Sequence, residues 1–299
     1  MQANKLFLSL AGGATLLVAA GSAMAQIAVT KHNLGTGQTS HPNAMSTAAP
    51  DATSEICVFC HTPHGADTSA PAPLWNRKLP TSSYTTYDQL GTATFDAKVA
   101  TGGIGSVSLA CLSCHDGGQT FNQVLNAPGG GGYSSTGTAT AGFQNSANAL
   151  WVEFASMPTT GGDAILNLAN NLGQGTTSAT SGSGDLRDDH PVSIEYCGGP
   201  GTLGPGANCR DADFKNWSSA TINGAQQFWV DTAAGTTGAR EKTDLTLYRR
   251  TFGTDGTQPS IECASCHDPH IDNTTFLRMV AGTATGNAGS QVCLACHIK

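Results

Sequence analysis

The sequence predicts a chain that is mostly coil, with short helices and few short strands. Three observations lead there. Apolar residues make up 39% of the chain and aromatics only 6%, while Gly alone contributes 37 residues. So thin an apolar inventory cannot build a large core from side chains alone. Two stretches, 127–142 and 173–184, are almost wholly Gly, Ser, Thr and Ala or similarly small polar residues, and read as flexible surface excursions. Finally, one short word recurs four times: Cys57–His61, Cys111–His115, Cys263–His267 and Cys293–His297 all read C-x-x-C-H.

That word is the attachment signature of c-type haem. The two thiols form thioethers to the porphyrin vinyl groups, and the His that follows ligates the iron. Eight of ten cysteines fall in these words, so the chain reads as a multihaem cytochrome c organised around four stacked, covalently bound haem c groups. The macrocycles would supply the missing apolar surface, and the chain without them is expected to be largely unfolded.

Taken in order, residues 1–25 read as a signal peptide. Lys5 gives the positive start, Leu6 to Ala20 the apolar run, and Ala23-Met24-Ala25 a cleavage site before Gln26. The run is short for a membrane span, and no later segment is long enough to be one. Residues 26–299 then form one tetrahaem domain. Export fits haem attachment outside the cytoplasm. It also fits a disulfide between the two remaining cysteines, Cys197 and Cys209, which bracket a Gly/Pro-rich loop. Two free thiols or a small metal site are the alternatives, although no further Cys remains to complete a zinc tetrad.

Between the second and third haem words, Leu150–Met157 and Ile165–Leu172 fit short helices or strands equally well. Ser193–Cys197, Gln226–Val230 and Leu245–Thr251 fit strands. Helix is expected only as short turns around the haem words.

The charge balance is acidic, with 14 basic and 21 acidic residues and a net charge of −7. Loss of Lys5 with the leader makes this more negative. Nucleic acid and anionic membranes are therefore poor partners.

Four six-coordinate haems with two His ligands each need eight histidines, and the chain holds nine. His61, His115, His267 and His297 are the proximal set. His64 and His270 each follow a proximal His by three residues, in the words CVFCHTPH and CASCHDPH. Both rings leave the same side of one turn, so the second His is expected to ligate a neighbouring haem. His190, in Asp189-His190-Pro191, is a third distal ligand, with Asp188 or Asp189 placed to orient its ring. His32 is the choice for the fourth, with His41 the spare. Met45, Met157 and Met279 read as packing residues.

Set in order, KHNL, CVFCHTPH, PLWNR, SLACLSCHDG, DHPVS, CASCHDPH and CLACH resemble the extracellular tetrahaem cytochromes that polymerise into filaments, the OmcE-type nanowire cytochromes. The resemblance runs from about Lys31 to the last residues. It implies four bis-His haems, a coil-rich fold, and a head-to-tail homopolymer in which one distal His comes from the adjacent subunit. His32, or else His41, would be that donor, and the haem at His297 the acceptor. An open-ended contact of this kind generates a helical filament.

Three functions compete. The first is electron conduction through an extracellular or cell-surface filament, delivering to other redox proteins or extracellular acceptors. The second is a soluble periplasmic shuttle. The third is a multihaem reductase, which needs an open iron position. Enough histidines exist to close every iron, so an electron-transfer protein rather than an enzyme is expected, with no catalytic residues.

Overall fold

The computed structural model describes residues 26–36, 53–81, 83–91, 97–115, 124–127, 133, 186–187, 189–201, 208–232, 238–241, 243–279 and 290–298. The leader, His41, Met45, Met157, Asp188, the segments Leu150–Met157 and Ile165–Leu172, and the small-residue stretches apart from Ala127 and Tyr133 lie outside the described residues. Among the described residues no helix is long and apolar enough to cross a membrane.

Most of the described chain is irregular, with one small antiparallel sheet. Its strands are β1 (Ile194–Glu195), β2 (Ser218–Ile222), β3 (Ala225–Val230), β4 (Leu245–Thr251) and β5 (Thr257–Ile261), in the order β1-β5-β4-β3-β2. The expected strands at 226–230 and 245–251 are β3 and β4. The one expected at Ser193–Cys197 is shorter, because Ser193 (φ 56°) and Cys197 (φ 49°) are both left-handed and end the extended run. Strands β2 and β3 form a hairpin with Ile222 paired to Ala225. The two residues between, Asn223 (φ 53°) and Gly224 (φ 77°), both take positive φ, the requirement of a two-residue turn matched to strand twist. A Cβ at Gly224 would meet nothing within 4 Å, so glycine serves the backbone angle there and not a close approach.

Cross-strand pairing puts Phe228 opposite Leu247 and Val230 opposite Leu245. This face, with Ile261 and Tyr196, forms the apolar core and packs against Ala295 and Cys296 of the fourth haem word. Cys197 and Cys209 belong to the same cluster and are joined by a disulfide with Cα atoms 5.3 Å apart, which agrees with the sequence reading. Met279 packs against this cluster as expected. The alternate residues of β4 and β5, Tyr248, Arg250 and Ser260, lie on the opposite face.

Three helices carry haem words: α1 (Ser106–His115), α2 (Cys263–Cys266) and α3 (Gln291–Cys296). The first word begins with a single tight turn, Cys57–Phe59. Two buried charges hold these pieces together. Arg77, wholly buried, donates from Nε and Nη2 to the Ser113 carbonyl at 3.3 and 2.9 Å. The segment after the first word thus caps the C-terminal turn of the second word's helix, where a cation is favoured. Glu262, 1% exposed, accepts from Ser108 of α1, from Ser193 at 2.9 Å and from Arg250 Nη1 at 3.0 Å. It also caps α2, its backbone N–H donating to Ser265 Oγ at 3.0 Å. Second word, third word and sheet therefore meet on one carboxylate.

Candidate haem sites

Within each haem word the two cysteines are three residues apart, one helical turn, so both sulfurs lie on one side of the turn. The turn closes on the histidine: its N–H donates to the carbonyl of the first cysteine at 2.7 Å for His61, 3.1 Å for His267 and 2.8 Å for His297. His267 (ψ 143°) and His297 (ψ 144°) then leave the helix as extended backbone.

Three of the four words share a second device. The extended Cys-His segment pairs antiparallel with a returning segment: His61 with Trp75, His267 with Leu277, and His297 with Phe214. Flanking bonds repeat as well. Asn76, Arg278 and Lys215 each donate their N–H at 2.8 Å to the carbonyl of the second cysteine, Cys60, Cys266 and Cys296 respectively. The histidine of the word is thereby fixed at its backbone on both sides. The second word differs, with His115 as the last residue of α1.

Ring orientation is controlled too. His61 Nδ1 lies 2.6 Å from the Pro73 carbonyl and His267 Nδ1 lies 2.8 Å from that of Thr275. His190 Nδ1 lies 3.1 Å from the Pro191 carbonyl, and His270 Nδ1 lies 3.1 Å from Asp268 Oδ1. An oxygen partner on Nδ1 keeps the proton there and leaves Nε2 available to take a metal. Asp268 is held in place in turn. Burial pushes its carboxyl up, but the His270 N–H, the Arg278 guanidinium and the His270 ring outweigh burial and hold it below the ordinary carboxylate range. Sequence reasoning sought the orienting carboxylate beside His190 and missed Asp268, although an Asp two residues before a His in CHDPH was a usable signal.

The histidine rings come together in pairs. His61 and His270 have ring centres 6.2 Å apart and planes 18° from parallel. His32 and His115 have centres 6.2 Å apart and planes at 66°. His32 also stacks on Phe276 at 4.2 Å, a residue no sequence signal marked. His190 sits close enough to His297 to feel its charge: burial lowers its acid below the ordinary value, and His297 lowers it further against the Pro191 hydrogen bond. A neutral imidazole is the ligating form. His64 stands exposed, its carbonyl accepting from Asn126 Nδ2 at 2.7 Å.

The cysteines of successive words also approach one another. Burial and then the Cys114 thiol push Cys60 up to about 12. Cys111 and Cys263 share a hydrogen bond that raises the first and lowers the second. Burial, then Cys296, push Cys266 up to about 12, and burial pushes Cys296 up to about 11. Cys57 and Cys293 are exposed. The second and third words thus touch through their cysteines.

These residues fit haem. Cys60, Cys111, Cys266 and Cys296 lie where a neutral sulfur is favoured, which suits a thioether. Ring nitrogens are left for an iron. The Trp75 indole N–H, buried beside His61, has no acceptor among the described residues, and a haem propionate is an acceptor for such a donor. Haem bound there would be held by the two sulfurs of each word and by histidine nitrogens, and would supply one-electron redox chemistry.

Comparison with known families agrees at this level. A doubled CXXCH motif family model matches residues 258–299, which contain the third and fourth haem words. No curated protein matches the chain. The paired CXXCH words indicate covalently bound haem c and point to electron transfer, as in a c-type cytochrome-like multihaem protein.

Proposed function

We propose that the chain carries electrons through four bis-His c-type haems as the subunit of an extracellular conductive filament. The observation that supports this reading is that separate haem words meet in the fold: Cys111 of the second hydrogen-bonds to Cys263 of the third, and His61 of the first faces His270 just after the third. Porphyrins held at those sulfurs would form a row, and a row of closely packed low-spin haems passes electrons without binding a substrate. The chain's own residues anchor the porphyrin edges, fix the imidazoles and exclude water around them. Head-to-tail association of copies extends the row, with Gly/Ser/Thr-rich excursions keeping the polymer solvated.

In this reading one distal histidine passes between neighbours from the N-terminal segment. His32 faces His115 of its own chain, which favours His41 as the exchanged ligand. The same observation favours the second reading, a soluble periplasmic shuttle, because a chain that closes its own irons needs no neighbour.

Electron microscopy of the purified haem-loaded protein separates the two. Filaments a few nanometres wide with a regular axial repeat are expected, and loss of filaments in His41→Ala with haem content unchanged. Dispersed monomers over a wide range of concentration would move the assignment to the shuttle.

A further inference from the structure

A metal–imidazole bond is about 2 Å, and the ring centre lies about 1 Å beyond the bonded nitrogen, so trans imidazoles on one iron have centres about 6 Å apart. Two histidine pairs meet that span, His61 with His270 and His32 with His115, each at 6.2 Å. Direct stacking of two flat rings is closer: His32 on Phe276 is 4.2 Å. The wider spacing leaves room for an atom between the rings.

We propose that His270 is the second axial ligand of the iron held by His61, and that His32 is the second axial ligand of the iron held by His115. This rests on the haem reading above and deepens it. Both rings of the first pair have Nδ1 turned to an oxygen, at Pro73 and Asp268, which reserves Nε2 of each for the metal. The second pair is backed by Phe276, only six residues beyond His270. One short stretch, Asp268 to Phe276, thus serves both irons. Asp268 pins the ligand of one, and Phe276 buttresses the ligand of the other.

The consequence is an order of dependence. The haem of the first word cannot be completed until the third word's turn has folded, although the two lie far apart in sequence.

The two pairs have different spectroscopic signatures. Near-parallel imidazole planes split the two iron orbitals they face and give a rhombic ferric signal. Steeply crossed planes leave those orbitals nearly degenerate and give a signal with one very large g value. The first pair is crossed at 18° and the second at 66°.

The test is electron paramagnetic resonance on the full haem-loaded chain, with covalent haem counted by intact mass. His270→Ala is expected to convert one rhombic low-spin centre to high spin. His32→Ala is expected to convert one large-g centre instead. His270→Met and His32→Met should keep the same irons low-spin with a raised potential, and they decide the matter if either alanine variant fails to fold. Variants that leave every haem low-spin and unshifted, or that alter the opposite class of signal, would overturn the pairing. A wild-type chain without covalent haem would instead overturn the haem reading itself.

Discussion

Replacing Glu262 by Ala removes the one buried carboxylate on which two haem words and the sheet converge. The hydroxyls of Ser108 and Ser193 and the Arg250 guanidinium lose their carboxylate acceptor, while Ser260 keeps the Ile261 carbonyl. Arg250 keeps a bond to the Gly103 carbonyl at 2.7 Å but is only 13% exposed, so its charge stays largely buried without a counter-ion. Breaking a buried pair in this way costs roughly 3–5 kcal/mol. With a denaturant slope of about 5 kcal/mol/M in guanidinium chloride, the unfolding midpoint of the haem-loaded protein should fall by about 0.8 M, followed by far-ultraviolet circular dichroism.

The pH dependence of that gap is a second, sharper readout. Burial raises the Glu262 carboxyl above its ordinary value, against the Ser108 hydrogen bond and the Arg250 charge. A carboxyl raised on folding contributes most below its unfolded value, and that contribution is lost as pH rises through the folded value. The difference between wild type and Glu262→Ala should therefore be largest at acid pH and narrow on the way up. A midpoint that moves by less than about 0.2 M, or a gap that widens with rising pH, would refute the reasoning.

Two further outcomes are expected. Cys209→Ser opens the disulfide that closes a separation of 12 residues and should lower stability by about 3 kcal/mol, seen as a lower melting temperature that no longer responds to a phosphine reductant. Asp268→Ala frees the His270 ring and should cost about tenfold or more in ligation of the iron it faces, read as a growing high-spin fraction. Since folding depresses the Asp268 acid, its contribution holds above the ordinary carboxylate range and is lost only as pH falls through its lowered folded value.

Much of the site was written in local sequence, because haem attachment demands two thiols one turn apart and an adjacent imidazole. The disulfide followed by elimination once eight cysteines were spoken for. β4 was visible because Leu245 and Leu247 alternate with polar residues. β2 was not, since Ser218–Ile222 offers only Ala220 and Ile222 as apolar residues; the signal there was the Asn223-Gly224 turn. β5 was hidden by Pro259 and its polar start. Residue α1 positions Ser108 and Ser113 look like surface, yet both are fully buried, one on Glu262 and the other on the Ala110 carbonyl. Partners such as Ser108 and Glu262, 154 residues apart, and the facing of His61 by His270, depend on long-range packing that no local pattern encodes.

The central claim is a row of four covalently held haems with both axial positions of every iron closed by histidine. Intact mass and spin state of the exported, haem-loaded chain test it most directly. The account predicts four haems per chain and a ferric spectrum that is entirely low-spin. Fewer than four haems, or a high-spin centre in the wild type, would contradict it.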